Sequence, residues 1–293
     1  MPFLGAFSKN NSYKKLTGTQ ADPGTSAAQL KSDWGYTSDG VYYILINNVS
    51  TPVYCIMNSA MAGGGWMMAM KGAAGATFNY NANYWTTANN LNSSDLTRSA
   101  ADAKYDTFNY FPATDLLAIF PDMPSTGGSL NVAGYNWTWY QPSFGSAASL
   151  PTGSSPTTLL NVFNAPQPTD PVKSGYAGSG YFIKDAKTFS GWSPGIFSSQ
   201  ADIRFYGFNF NNYFPNAYTI QSKSRWGFGW NENGEGLFPG SNTAANGSND
   251  VAGGIGLYYN NGTVYNYSAG DIISCCTDNI GVNRSARFEM YVR

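Results

Sequence analysis

The sequence contains no histidine among its 293 residues. Histidine is the commonest general base, zinc ligand and triad member, so its absence argues against most hydrolase mechanisms. Paired carboxylates are the chemistry that remains, because two acids at a suitable separation can cleave a glycosidic bond. The nearest pairs in sequence are Asp102 with Asp106 and Glu232 with Glu235, and nothing near them distinguishes them from solvated loop acids. We therefore expect that the protein is not an enzyme.

Charge is also scarce, since only 11% of residues are charged and 16 basic residues face 17 acidic ones. Without a basic stripe there is nothing to neutralise phosphates, so we expect no nucleic-acid partner. No stretch approaches the roughly 20 apolar residues that cross a bilayer, and no apolar core follows the N-terminal lysines, so we expect neither membrane insertion nor a signal peptide. Aromatic residues make up 16% of the chain, which is typical of extracellular binding surfaces and viral structural proteins.

Cysteine is nearly absent, with three in the chain. Two of them, Cys275 and Cys276, are adjacent, so no disulfide framework of the secreted type is available. The composition indicates assembly in a reducing cell. We expect Cys55 to be a small buried hydrophobe, and Cys275 and Cys276 to be free thiols or a strained vicinal disulfide.

The chain divides into a short polar leader and one large domain. Residues 1–32 show neither helical nor alternating periodicity, which predicts an extended N-terminal attachment arm. No linker interrupts residues 33–293, where alternation predicts strands near 201–210, 223–230, 253–258 and 286–293. Short helices are predicted at 94–101 and 113–120 and in an apolar island at 158–163, within a long loop over 141–179. The predicted fold class is α+β and β-rich, with short helices and long loops.

The most informative stretch spans residues 40–71. Two β-branched and aromatic runs flank Asn47 and Asn48, which predicts a hairpin, and Gly63, Gly64 and Gly65 then precede a strand that begins at Trp66. The order Gly-x-Tyr, Pro-Val-x-Cys-x-Met, Gly-Gly-Gly-Trp resembles the opening of fibrinogen C-terminal-like domains. The resemblance implies a fibrinogen-related globular domain.

Later segments are more similar to the intelectin branch of that fold. They are Tyr84-Trp85, Tyr105-Asp106, Asp115-Leu116, the strand over 199–212, the turn over 234–240 and the terminal strand over 287–293. The resemblance implies a lectin that holds sugar hydroxyls through calcium. The sequence departs from the family because it lacks its histidine, the acids after Phe238-Pro239 and the usual cysteine partner of Cys55 within residues 27–32.

One segment is rich in the hard oxygen ligands that calcium prefers. We interpret the segment as a plain turn, because the spacing is not that of an EF-hand, and a structural calcium site is the alternative. The candidate ligands are Asn231, Glu232, Glu235, Asn249 and Asp250.

Aromatic and amide patches suit carbohydrate binding, because rings stack on sugars and amides bond their hydroxyls. The alternative for the tryptophans is that one face is core and the other a subunit contact. The candidate carbohydrate-binding residues are Trp137, Trp139, Tyr140, Tyr213, Tyr259 and Asn260.

A leaderless lectin-like chain with reducing-cell cysteine usage is typical of a bacteriophage virion protein. We expect residues 1–32 to attach it to other virion proteins of a tail, fibre or capsid, as a homotrimer, and the domain to adhere to host surface glycans as a receptor-binding module. A purely structural role as decoration or fibre component is the alternative, and a glycan-degrading enzyme is a remote one.

Overall fold

The structure is a computed structural model. It describes residues 17–122, 137–141, 156–165, 206–213, 221–230, 251–260, 262–273 and 283–293.

The described residues are β-rich, with few and short helices. The strands are β1 Gly40–Ile46, β2 Val49–Ile56, β3 Trp66–Gly72, β4 Ala103–Lys104, β5 Leu116–Phe120, β6 Trp137–Gln141, β7 Tyr206–Tyr213, β8 Gln221–Trp230, β9 Val251–Asn260, β10 Val264–Ile273, β11 Arg284–Ser285 and β12 Phe288–Val292. The helices are α1 Ala27–Trp34, α2 Asp106–Tyr110 and α3 Leu159–Asn164, and Asn83–Trp85 form one 3-10 turn.

The first sheet has seven antiparallel strands in the order β1-β2-β3-β12-β5-β6, with β4 beside β3. The last strand of the chain, β12, lies at its centre, between β3 and β5. All five residues of β12 are buried, so the predicted strand over 286–293 is an interior one. The sheet therefore pairs β12, close to the C-terminus, with strands from the first half of the chain.

The predicted hairpin and glycine turn are confirmed. Asn47 and Asn48 connect β1 to β2 with φ of 49° and 62°, the left-handed conformation that two-residue hairpin turns require. Gly64 has φ of 73°, and a Cβ there would lie 2.5 Å from the Met57 carbonyl oxygen. Only glycine fits that position, so the turn into Trp66 depends on it.

The second sheet has five antiparallel strands in the order β11-β10-β9-β8-β7. Its inner residues Phe208, Trp226 and Ile255 belong to the same hydrophobic cluster as Met70 and Phe288 of the first sheet. The two sheets thus share one core.

Helix α3 connects the two parts of this core, and it confirms the helix predicted for the apolar island at 158–163. The ring of Phe163 stacks on Phe108 of α2 at 5.8 Å and meets Phe208 of β7 edge-on at 5.9 Å. Aromatic pairs in these arrangements are favourable beyond the area that they bury.

Residues 17–34 pack against the first sheet, so the predicted attachment arm over 1–32 is wrong in its second half. The Gly18 carbonyl accepts a hydrogen bond from Tyr43 N at 2.9 Å, and Gly24 N donates to the Tyr43 carbonyl at 2.9 Å. Ala27 and Leu30 of α1 are fully buried in the main core. Backbone pairing with β1 and this apolar anchor hold the segment in place, and residues 1–16 lie outside the described residues.

Helix α1 was not predicted because it is short and buries only two residues. Its ends nevertheless carry recognisable signals, since Ser26 Oγ accepts from Gln29 N at 2.9 Å and Gly35 closes the helix with φ of 74°. A serine three residues before a glutamine is a helix-start signature. The capping pattern, rather than the hydrophobic period, was the usable signal.

Two helix predictions are wrong. Residues 94–101 form an irregular loop, and the stretch over 113–120 contains β5 instead. All five residues of β5 are buried, and a short continuous apolar run fits an interior strand as well as a helix. Strand β10 carries no prediction at all.

Within the described ranges, no helix is long and apolar enough to cross a bilayer. Cys55 is buried and free, as predicted, and burial raises the pKa of its thiol far above the ordinary value. Cys275 and Cys276 lie outside the described residues.

Candidate functional site

The predicted carbohydrate-binding residues fall on both sheets. Trp137, Trp139 and Tyr140 lie in β6, the edge strand of the seven-stranded sheet, in register with Phe120, Ala118 and Leu117 of β5. Tyr213 lies at the end of β7, the edge strand of the five-stranded sheet. These strands belong to different sheets, so the structure does not bring the tryptophans and Tyr213 into one row.

Tyr213 and Asn260 do share a row. Tyr213 is in register with Gln221 of β8, and Gln221 with Asn260 of β9. Neighbouring strands lie about 4.8 Å apart, so the row places the two residues roughly 10 Å from each other. This is the part of the predicted site that the fold assembles.

Tyr259 does not lie on the surface, where a side chain must be in order to contact a sugar. It is fully buried in a small cluster with Leu257 and Ile272, so its ring is not available for stacking on a ligand. The predicted role of Tyr259 is wrong, and its neighbour Tyr258, which is half-buried, is the accessible tyrosine at this point of β9. Strand alternation separates the two, and the sequence alone does not say which one faces inwards.

The candidate calcium ligands Asn231, Glu232, Glu235, Asn249 and Asp250 lie outside the described residues. In the part of the chain that is described, no three histidine, cysteine, aspartate or glutamate side chains come together as a metal centre would require.

The carboxylates considered for catalysis accept hydrogen bonds from neighbouring loop residues. Asp102 accepts from Ala73 N at 2.8 Å and from Thr77 Oγ1 at 2.6 Å. Asp106 accepts from Asn90 Nδ2 at 2.7 Å. The two acids serve separate hydrogen-bond networks, and the pair Glu232 and Glu235 is outside the described ranges.

The five-stranded sheet carries a cluster that the sequence analysis missed, which we call the Tyr80 site. It consists of Lys223 and Arg225 of β8, Tyr258 of β9 and Tyr80. Lys223 Nζ lies 5.1 Å from the Tyr258 ring centre and 5.7 Å from that of Tyr80, and Arg225 Cζ lies 4.3 Å from the Tyr80 ring centre. All four residues are partly exposed.

A loop of the first half of the chain delivers Tyr80 to the second sheet. Tyr80 N donates to the Leu257 carbonyl of β9 at 3.3 Å, and Phe78 N donates to Ser268 Oγ of β10 at 3.0 Å. Trp85 Nε1 donates to the carbonyl of Asn79 at 2.9 Å, which closes the loop on itself. Hydrogen bonds therefore fix the loop both to the five-stranded sheet and to the core residue Trp85.

Arg225 is fixed by neutral acceptors alone. Its Nε donates to the Tyr80 carbonyl at 2.8 Å, and its Nη1 donates to Asn209 Oδ1 at 2.9 Å and to the Phe163 carbonyl at 3.4 Å. Asn209 is buried with φ of 52° and in turn donates to the Val162 carbonyl at 3.1 Å. This unusual backbone places the amide that orients the guanidinium.

Gly256 makes room for Arg225 on the neighbouring strand. It has φ of 68°, and a Cβ there would lie 2.6 Å from Arg225 Cγ. Any side chain at this position would therefore displace the arginine stem, in addition to the strain of a left-handed backbone.

The charge of the site is not compensated by any carboxylate among the described residues. Burial, and then the nearby charge of Arg225, lowers the pKa of Lys223. Burial also lowers the pKa of Arg225, against a smaller opposite effect of Tyr80. Two cations thus share a partly desolvated surface with tyrosine rings.

The strand register places amide residues beside the Tyr80 site. Lys223 is in register with Asn211 of β7 on one side and with Tyr258 on the other, and Tyr258 is in register with Asn266 of β10. The row Tyr213, Gln221 and Asn260 lies two residues further along. Aromatic rings, amides and cations on one end of a sheet can bind a hydroxyl-rich ligand that carries negative charge.

Sequence reasoning missed the site because its parts are distant in the chain, since Arg225 follows Tyr80 by 145 positions. One signal was present. Two basic residues in alternation, Lys223 and Arg225, are unusual in a chain with 11% charged residues.

A second charged cluster lies on the seven-stranded sheet, and its cations and carboxylates form ion pairs with one another. Glu289 is fully buried and accepts from Arg98 Nε at 2.8 Å, from Arg287 Nη2 at 3.0 Å and from the Tyr291 hydroxyl at 2.8 Å. Lys71 is 1% exposed and donates to Asp95 at 2.7 Å. Because these charges pair with one another, we assign the cluster to the fold, and the Tyr80 site remains the candidate functional site.

A comparison of the chain with protein-family models finds no match, and a comparison with curated proteins finds none either.

Proposed function

We propose that this protein is a virion structural protein that displays a lectin-like, fibrinogen-related domain and binds host surface glycans through the Tyr80 site, without catalysing a reaction. The observation that carries the proposal is the cluster of Tyr80, Tyr258, Lys223 and Arg225, in which rings and cations are partly exposed and no carboxylate of the described residues neutralises them. Exposed ring faces with nearby donors suit the apolar face and the hydroxyls of a sugar.

Assignment to a virion rests on the sequence. A lectin-like domain, low charge and few cysteines fit a particle that is assembled in cytoplasm and works outside the cell. Attachment to other virion proteins belongs to residues 1–16 in this proposal, since residues 17–32 pack on the domain. A homotrimer is the expected assembly.

A glycan array with the labelled full chain, run with and without calcium, tests the proposal. We expect binding that Tyr258→Ala abolishes and Tyr110→Ala leaves unchanged, because Tyr110 is 41% exposed but lies at the end of α2, away from the Tyr80 site. A thermal melt of each variant checks that the fold is retained. Binding that survives Tyr258→Ala but is lost in Trp137→Ala or Trp139→Ala would move the site to β6.

A purely structural role is the second candidate, favoured by apolar residues on the first hairpin. Val41 and Leu45 lie on the same face of β1 and are 46% and 43% exposed, and exposed apolar surface marks protein contacts. A blank array, together with co-assembly with virion components that is lost in Leu45→Ser, would favour this role over glycan binding.

A further inference from the structure

We infer that the glycan bound at the Tyr80 site is acidic, with a carboxylate or sulfate group on the sugar that Lys223 and Arg225 receive. This inference rests on the proposed function and names the chemical class of its ligand. It differs from the calcium-held vicinal hydroxyls that the resemblance implies, because here protein cations receive an anionic group.

The first argument is the balance of charge within the site. Lys223 and Arg225 stand two residues apart on β8, both lie against the ring of Tyr80, and neither has a carboxylate partner among the described residues. Two like charges on a half-buried surface repel each other, and an anion between them removes that repulsion. A neutral sugar gives no such gain.

The second argument is the hydrogen-bonding capacity that remains. The guanidinium of Arg225 uses Nε and Nη1 on the carbonyls of Tyr80 and Phe163 and on Asn209 Oδ1. Arginine has five N–H groups and lysine three, so donors of Nη2 and the whole ammonium of Lys223 remain for a ligand. Charge-assisted bonds of this kind are the stronger class.

The third argument is that the site is already formed. Gly256 leaves space for the stem of Arg225, Asn209 orients its head, and the Tyr80 loop is bonded to β9. A binding group that is held in place loses little conformational entropy when the ligand arrives. An incidental surface lysine next to an arginine would have none of these supports.

The rings define the rest of the ligand. Tyr80 and Tyr258 are half-buried, and burial raises the pKa of the Tyr80 hydroxyl, so it stays neutral at physiological pH. A small free anion would gain little from two aromatic faces, whereas a pyranose ring that carries the anionic group could contact the rings and the cations together. The chemistry therefore favours an acidic sugar over inorganic phosphate.

Isothermal titration of the full chain with matched probes tests this inference. Sialyllactose and oligogalacturonate supply carboxylates, with lactose and fully methyl-esterified oligogalacturonate as their uncharged counterparts, and 3'-sulfolactose supplies a sulfate, with lactose again as its counterpart. We expect at least tenfold tighter binding of the carboxylated or the sulfated probes than of their counterparts, and a loss of affinity between about 0.05 and 0.5 M salt.

Variants of one residue complete the test. Lys223→Gln should lose at least tenfold in affinity for the acidic probe, and Lys223→Arg should retain it because the charge is kept. Lys31→Gln is the matched control, since its ammonium is bonded to the Met57 carbonyl and Ser59 Oγ on another part of the surface. A thermal melt of each variant shows that the fold persists.

Two failures are distinguishable. Equal binding of acidic and neutral probes, unchanged in Lys223→Gln, would overturn the acidic specificity and leave glycan binding standing. Absence of binding to every acidic and neutral glycan on the array would overturn the proposed function, and this inference with it.

Discussion

On the seven-stranded sheet, most of the buried or partly buried basic side chains form ion pairs with carboxylates. On the five-stranded sheet, Lys223 and Arg225 instead contact tyrosine rings, and Arg225 donates hydrogen bonds to neutral oxygens. Lys71 lies 2.7 Å from Asp95, and Arg98 lies 2.8 Å from Glu289. Burying a charge is costly unless a partner of opposite sign is provided. The first arrangement stabilises the fold itself, and the second is the one that our proposal assigns to a ligand.

The five-stranded sheet also contains a cation that is paired with a carboxylate. On the five-stranded sheet Arg284 Nε donates to Asp271 Oδ1 at 3.0 Å, and Asp271 is buried. The sheet can therefore pair its cations where nothing else is required of them. That no carboxylate of the described residues pairs with Lys223 or Arg225 is therefore a local property of the Tyr80 site.

The largest expected effect is at Glu289. Replacing it with glutamine leaves Arg98 and Arg287 without their carboxylate, and breaking a buried ion pair costs about 3–5 kcal/mol. The free energy of unfolding from urea titration measures this loss. Asp122→Asn is the control, because Asp122 lies 3.8 Å from the same Arg287 but is 59% exposed, and should cost less than about 0.5 kcal/mol. Similar losses in both variants would show that burial does not set the value of these pairs.

A smaller effect, with a pH signature, is expected at Asp95. The hydrogen bond from Lys71, followed by those from Thr97 and Ser99, holds the pKa of Asp95 well below its usual range. The stability that this pair contributes is complete above the ordinary aspartate pKa of about 4 and declines as the pH falls further. Asp95→Asn should therefore cost about 2 kcal/mol at pH 7 and progressively less below pH 4.

Urea titrations of the wild type and Asp95→Asn between pH 2 and 7 measure that difference. Asp33→Asn, at an exposed residue of α1, should follow the wild-type curve throughout. Parallel curves for Asp95→Asn and the wild type would mean that Asp95 does not bind its proton differently in the folded state.

The sequence predicts the features that depend on neighbouring residues better than those that depend on contacts between distant parts of the chain. The hairpin at Asn47 and Asn48 and the glycine turn before Trp66 were predictable, because backbone constraints act within a few residues. The buried strand β5 was mistaken for a helix, since a short run of apolar residues fits both. Pairing partners such as Lys71 and Asp95 needed the fold, because only the sheet brings them together.

The position of the candidate binding surface could not be predicted from the sequence. An aromatic and amide surface follows from composition, and Asn260 and Tyr213 do share a row. The choice of Tyr259 instead of Tyr258 failed because alternation gives two faces without naming the inner one. Tyr80 was out of reach, since its contact with Arg225 spans 145 residues.

Lys104 sharpens the comparison because it is buried without an ion pair among the described contacts. It is fully buried, donates to the Thr87 carbonyl at 2.5 Å and lies 4.5 Å from the Phe108 ring centre. Burial lowers its pKa to about 8, against a smaller opposite effect of Asp106. No ligand can reach it, so an unpaired cation marks a binding site only where it is also exposed.

The pH dependence of stability tests Lys104. Its folded pKa of about 8 lies below the ordinary lysine value near 10.4, so the unfolded chain binds more protons in between. The free energy of unfolding should rise with pH across that window, by about 2 kcal/mol more in the wild type than in Lys104→Met. Lys31→Met should keep the wild-type slope. A slope unchanged in Lys104→Met would show that this amine is not desolvated.

The smallest expected effect is on stability at Lys223, and it decides the comparison. Burial and the charge of Arg225 lower the pKa of Lys223, so the charged form costs stability at neutral pH, and Lys223→Met should leave the free energy of unfolding unchanged or raise it by up to about 1 kcal/mol. The same change at Lys71 should lower it by about 2 kcal/mol or more, because Asp95 then loses its partner. Urea titration of both variants at pH 7 makes the comparison directly. If Lys223→Met destabilised the protein as much as Lys71→Met, the lysine would be part of the scaffold, and an unpaired cation on this sheet would no longer indicate a ligand.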